Sequence, residues 1–141
     1  VHIISGGNSM EEILKILNDA KVFFVATTED DKPRVRPFGF AMIFEGKLYF
    51  CTGNHKNVYR QLKTNPNLEI CAMITEDEWI RINGKAVFDD RQSPKEKVFE
   101  LCPSLYNIYS SAEDPRFEVF YLTDCEAVIY SMTDEPSKIE I

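Results

Sequence analysis

Two arginines at alternate positions, Arg34 and Arg36, open a stretch that runs RVRPFGFAMIFEGKLYFCTGNHKNVYR as far as Arg60. Side chains alternate across a strand, so both guanidinium groups fall on one face and Val35 on the other. Further along, Thr52-Gly53-Asn54 closes a strand-like run, and Lys56 follows where a helix is predicted to begin. The set combines forked donors, a hydroxyl, an ammonium group and unpaired helix amides, which is chemistry suited to a phosphate or another small anion. Charge points the same way. Residues 32–63 hold seven of the sixteen Lys and Arg against a single acid, Glu45, in a chain of net charge −7. A concentrated basic segment in an acidic protein fits a small anion, whereas a polyanion needs a broad basic face. The competing reading makes Lys56, Arg60 and Lys63 a solvated helix face and Asn54 only a cap, since Thr-Gly-Asn is weakly specific.

Other reactive residue types point to packing. Cys51 has no adjacent base in sequence, so it reads as a core residue. His55, at a helix start, reads as solvent-facing. Trp79 opens a strand and reads as core or interface. Asp89 and Asp90 are neighbours in a predicted loop, with nothing to mark them as a matched acid and base. The four cysteines are widely spaced, without a CxxC pair, and only two histidines are present. Neither a zinc site nor a disulfide framework is supported, and reduced thiols in a cytoplasmic protein are the expectation.

The elements that position these residues can be read in order. Ser9 and Glu12 form a capping-box pattern, and Ile13, Leu14, Ile16, Leu17 and Ala20 follow a helical period. VFFVAT at 22–27 predicts a buried strand, and EDDKP at 29–33 a polar turn. Residues 34–44 read as one strand, with Pro37 marking an edge or bulge. Glu45-Gly46 reads as a hairpin turn into 47–52, where Leu48, Phe50 and Thr52 share a face. A helix is predicted over about 55–63, then strands LEICAMI and WIRINGKAVF. Ser93-Pro94-Lys95-Glu96 suggests a second capping box. Beyond it, 104–116 is predicted irregular and anchored by Tyr106, Ile108 and Tyr109, before FEVFYL and EAVIYS as a closing pair of strands. Six or seven short strands with helices at their connections predict an α+β fold built on a small antiparallel barrel.

At 141 residues and 44% hydrophobic content, one domain with a true core is expected. The acidic balance argues against nucleic acid and against an anionic membrane surface, and no apolar run approaches a membrane span. Residues 1–9 read as an extension or cloning remnant without the pattern of a secretory signal, 10–131 as the domain, and 132–141 as a polar tail.

The order of segments FVATTEDDKPRVRPFGF, GKLYFCTGNHKNVYRQLKTNP and EWIRINGKAVF resembles the pyridoxamine 5′-phosphate oxidase-like, FMN-binding split-barrel family, over about residues 10–131. The resemblance implies a split barrel and a homodimer with FMN in clefts at the subunit interface. It implies that Arg34, Val35, Arg36, Pro37 and Phe38 line the flavin and its ribityl chain. By the same resemblance Thr52 and the Lys56-Asn57 helix start hold the phosphate, Cys51 is a further cofactor contact, and Trp79 and Arg81 approach from the partner subunit. Many relatives carry the phosphate-binding lysine where Val58 stands here, and nitroimidazole reductases of the family often have His where Cys51 stands. True pyridoxamine 5′-phosphate oxidases carry Arg-x-His near the C-terminus, and this chain has no His after His55. The resemblance therefore implies a general flavoprotein branch: an FMN-dependent oxidoreductase of a small molecule, with NAD(P)H as a candidate electron donor. The alternatives are a non-catalytic flavin-binding or sensing protein, or a deazaflavin- or haem-binding relative.

Overall fold

A computed structural model describes residues 9–141 in full and His2–Ile4 by backbone alone. The elements run β1 (His2–Ile4), α1 (Ser9–Ala20), β2 (Phe23–Glu29), β3 (Lys32–Phe38), β4 (Met42–Phe44), β5 (Lys47–Gly53), α2 (Asn57–Thr64), β6 (Asn67–Met73), β7 (Glu78–Asp89), α3 (Gln92–Leu101), β8 (Phe117–Ser131) and β9 (Ser137–Ile139). All nine strands join one sheet in the order β1-β9-β8-β7-β6-β2-β3, with the β4–β5 hairpin attached through β5 to β8. Every pairing is antiparallel except β1 with β9. The sheet is α+β and forms a split barrel: β3 pairs only with β2, and β4 only with β5. The chain crosses between those two edges at 39–41. Helix α2 packs on both β2 and β5, so it ties together the two sides of the split.

Local chemistry explains most of the boundaries. The β2–β3 hairpin pairs Glu29 with Lys32, and Asp30 adopts a left-handed φ of 56°, which Asp tolerates. The β4–β5 hairpin pairs Phe44 with Lys47. Both its turn residues have positive φ, Glu45 at 50° and Gly46 at 76°, the form whose twist suits a two-residue hairpin.

The core fills both faces of β5. Inside the barrel Leu48 and Phe50 meet Ile13 and Leu17 of α1, Phe23 and Val25 of β2, Ile80 and Ile82 of β7, and Phe120 of β8. Phe50 stacks on Phe120 at 5.5 Å and meets Phe23 edge-on at 5.8 Å. Truncating such a ring to alanine costs about 3–5 kcal/mol. On the other face Tyr49 packs with Val98 and Phe99 of α3, and with Tyr109, Phe117 and Val119.

Several expectations need correction. The stretch 34–44 is two strands, because β2 begins at Phe23 and offers no partner beyond Phe38; the chain then turns to pair with β5. FEVFYL and EAVIYS are one fifteen-residue strand. A register shift between Asn83 and Lys85 faces a left-handed Asp124 (φ 50°), so a bulge bends β8 where two strands were expected. Nine strands replace the six or seven expected, partly because 132–141 is no mere tail: β9 pairs with β8 and Ile139 is fully buried. The capping box at Ser93 is not formed, since α3 starts earlier with Arg91 at its N-cap. Among the three expected anchors only Tyr109 is buried; Tyr106 and Ile108 are exposed on and just after a 3-10 turn at Pro103–Asn107. Asp89 ends β7 and is buried. Within the 1–9 segment, β1 pairs with β9, while positions 1 and 5–8 lie outside the described residues.

Candidate functional site

Strand alternation sends Arg34, Arg36 and Phe38 to the face of β2 that carries Phe23, Val25 and Thr27, and sends Val35 and Pro37 to the outer face. Because β3 is an edge strand, its backbone also borders the split. Two adjoining hollows open there. One of about 440 Å³ is lined by Glu29, Arg34, Val35, Arg36, Lys56, Asn57, Val58 and Gln61. The other, about 170 Å³, is lined by Arg36, Pro37, Phe38, Gly39, Cys51, Thr52, Lys56 and Val58. Nine of the eleven residues expected at a cofactor site thus surround one cleft, with Arg36, Lys56 and Val58 common to both parts.

Arg36 is the central charge. One guanidinium nitrogen donates to Thr27 Oγ1 at 2.7 Å and to the Val25 carbonyl at 3.2 Å, and the other donates to Gln61 Oε1 at 2.6 Å. All three acceptors are neutral, and among the described residues no carboxylate pairs with it. Burial pulls its pKa below the ordinary value, although an arginine stays charged. A part-buried cation without a counter-ion carries an unmet desolvation cost, which a bound anion would offset. Arg34 differs. Its Nε and Nη2 both donate to Glu29 Oε1 at 3.1 Å, and Arg60 reaches the other Glu29 oxygen at 2.9 Å. Those hydrogen bonds hold the Glu29 carboxyl below its usual pKa.

Thr52 faces the cleft from β5. It is buried, and no hydrogen bond involves its hydroxyl among the described residues. Helix α2 begins two residues later than expected, with Lys56 as an extended N-cap and no side-chain cap bond; the Tyr59 amide turns back to the Lys56 carbonyl at 3.2 Å, which leaves the Asn57 and Val58 amides available. Val58 is buried in the core, and Lys56 is the lysine that reaches the cleft. Asn57 accepts a hydrogen bond from Arg60 at 3.1 Å. Cys51 lies under the cleft, and burial pushes its thiol up to about 12, which rules against a thiolate nucleophile at neutral pH. His55 lies over Gly53 beside Tyr109: a Cβ on Gly53 would meet the imidazole at 2.5 Å and the Tyr109 hydroxyl at 2.6 Å. Asn54 fixes this corner by donating to the Pro115 carbonyl at 2.7 Å and to Glu118 at 2.9 Å.

Trp79 and Arg81 are not brought to the cleft of their own chain. They sit on the outer face of β7, where Trp79 stacks on Tyr130 at 6.0 Å and Arg81 lies 4.5 Å over the same ring. Arg81 also pairs with Glu69 at 3.8 Å. The sequence reading missed Gln61 and Thr27, which hold Arg36. The available signal was a glutamine on the buried stripe Val58-Gln61-Leu62 of α2, where an apolar residue is the default.

Residues 9–125 match the family model described as pyridoxamine 5′-phosphate oxidase. The chain belongs to the pyridoxamine 5′-phosphate oxidase-like family. Among solved structures it is similar to a NimC/NimA family protein from Clostridium acetobutylicum, at 42% identity over 92% of both chains, with a TM-score of 0.84. A pyridoxamine 5′-phosphate oxidase-related, FMN-binding protein from Nostoc punctiforme shares the fold at 16% identity, covering 96% of this chain and 97% of that one, with a TM-score of 0.66. The haem storage protein HutZ of Vibrio cholerae does so at 14% identity, covering 82% and 91%, with a TM-score of 0.64. No curated protein matches. Within the pyridoxamine 5′-phosphate oxidase-like family, the likeness of this chain is to the general branch rather than to the true oxidases.

Proposed function

We propose that the protein is a homodimeric flavoprotein that binds FMN in the β3–β5–α2 cleft and acts as an oxidoreductase on a small molecule. The observation that carries this reading is the Arg36 guanidinium, held by neutral acceptors and facing the same cleft as the Thr52 hydroxyl and Lys56. A dianionic phosphate there takes charge-assisted hydrogen bonds from both cations, and the start of α2 adds its dipole. Bound FMN supplies hydride and electron transfer. The chain's own residues anchor the phosphate, orient the ring along the edge of β3 and keep water from it. A haem reading finds less support, because His55, the one histidine whose side chain the structure describes, rests on Gly53 and does not line the cleft.

The proposed assembly follows from the outer face. Phe24 and Met73 are half exposed and Val35 more so, next to Trp79 and Cys71 on the same side of the sheet. A second copy covering this face would bring its Trp79 and Arg81 towards the first copy's cleft across a two-fold axis. No helix among the described residues is long and apolar enough to cross a membrane. The four cysteines are free, and we place the protein in the cytoplasm, where thiols stay reduced.

A fluorescence titration with FMN and with riboflavin tests the site. FMN is expected to bind at least 10-fold more tightly, since each charge-assisted bond contributes roughly 1.5–3 kcal/mol. Equal affinities would remove the phosphate site. Reduction of the bound flavin by NAD(P)H separates an enzyme from a carrier, and the mass of the ligand extracted from purified protein separates FMN from deazaflavin or haem.

A further inference from the structure

Gln61 is only 4% exposed, yet it comes from the solvent-facing helix α2 and sits against the most important charge of the cleft. Its carbonyl oxygen receives two short hydrogen bonds, from Arg36 Nη2 at 2.6 Å and from Thr27 Oγ1 at 2.6 Å. Thr27 in turn receives Arg36 Nη1 at 2.7 Å, so the three side chains close a ring. The donor sense is fixed by chemistry, because a guanidinium can only donate. Gln61 must present its oxygen, and Thr27 must spend its proton on that same oxygen. The Gln61 amide nitrogen makes no hydrogen bond among the described residues. A carboxylate at 61 would satisfy every one of these contacts equally well and would neutralise Arg36, as Glu29 neutralises Arg34 at the neighbouring position.

We propose that Gln61 is a positioning and specificity residue: its neutral carbonyl fixes the Arg36 guanidinium in place without cancelling its charge, and so reserves that charge for the ligand's phosphate. This rests on the phosphate-site reading above. Three consequences separate the idea from simple packing. The isosteric change Gln61→Glu keeps the shape but supplies a counter-charge. It should weaken FMN roughly 10- to 100-fold while riboflavin, which lacks the phosphate, changes less than about 3-fold. The melting temperature of the flavin-free protein should be unchanged or raised, because the variant completes an ion pair. Gln61→Met, which is neutral but cannot accept, should lower the FMN-to-riboflavin preference by a smaller factor.

The experiment is the FMN and riboflavin titration on wild type, Gln61→Glu and Gln61→Met, with melting of each flavin-free protein. A preference for FMN that falls in the order wild type, Met, Glu supports the proposal. An unchanged preference in Gln61→Glu overturns it. So does a parallel loss of both ligands together with a lowered melting temperature, which marks a packing role. Should Gln61→Glu fail to fold, Gln61→Met decides: a drop in preference of 3-fold or more supports the role, and none overturns it. A wild type with no preference for FMN rejects the phosphate site instead, and is thereby distinguishable from failure of the Gln61 role.

Discussion

The Tyr49 hydroxyl donates to Asp89 Oδ2 at 2.8 Å, tying the centre of β5 to the last residue of β7. Arg91 closes the same group: its Nη2 lies 2.9 Å from Asp89 and 2.7 Å from Glu45 of the β4–β5 turn. The Arg91 and Tyr49 hydrogen bonds outweigh burial and hold the Asp89 carboxyl at about 2, below its ordinary 3.8. Burial and the Asp89 charge push Tyr49 up to about 12. A carboxyl whose pKa is depressed by folding stabilises the fold above its unfolded value, and that contribution is lost as pH falls through the folded value. Asp89→Asn should therefore cost about 1.5–3 kcal/mol at neutral pH. Its stability should also change less than the wild type's between about pH 4 and pH 2. Denaturant melts across that window check both, and parallel curves for the two proteins would show that Asp89 does not gain from its charge.

Arg36→Ala should raise the FMN dissociation constant roughly 10- to 100-fold. Melting of the flavin-free protein should stay nearly unchanged, because Thr27 keeps its bond to Gln61 at 2.6 Å and a part-buried charge without a counter-ion is removed. Lys47→Ala is the control. Lys47 starts β5 and lies 4.8 Å over the Tyr121 ring, outside the cleft but inside the basic segment. Equal losses in both variants would mean that only the general field acts, and a loss in neither would put the ligand elsewhere.

Phe24→Glu places a charge on the outer sheet face, where Phe24 is already half exposed and adds little to the barrel core. Light scattering should move from a dimer to the 16.3 kDa monomer, without a matching loss of monomer stability. Trp79 is the only tryptophan, so its emission reports on one place. FMN should quench it in the dimer and leave it nearly untouched in the variant, since Trp79 does not border its own chain's cleft. A wild-type monomer that retains flavin at micromolar concentration would count decisively against the assembly.

The sequence made the hairpins and the barrel class readable because turn chemistry and alternation are local. Glu45-Gly46 is such a case, and so is Pro37, which marked β3 as an edge. The cleft was readable as a concentration of charge. What stayed hidden depends on contacts between distant segments. Nothing local says that Arg34 will be neutralised by Glu29 while Arg36 is left to Thr27 and Gln61. Asp124 gave no sign that its left-handed φ would let one strand run through what looked like a turn. The burial of Ile139 likewise depends on β8, far from its own polar neighbours.

Every side chain that borders the cleft has been synthesised once α2 is complete, yet β5 finds its second partner only in Phe117–Tyr121 of β8. A nascent chain that has just released α2 therefore holds every group its own cleft presents and none of the ladder that fixes one wall of the split. Its β4–β5 hairpin presents an unpaired, strongly apolar edge until β8 arrives, a pairing of high sequence separation that forms slowly and leaves the chain prone to self-association meanwhile. Fragments ending before β8 should consequently be poor ligand binders despite carrying all of their own chain's cleft residues, because the proposed site is complete only once β8 has paired with β5.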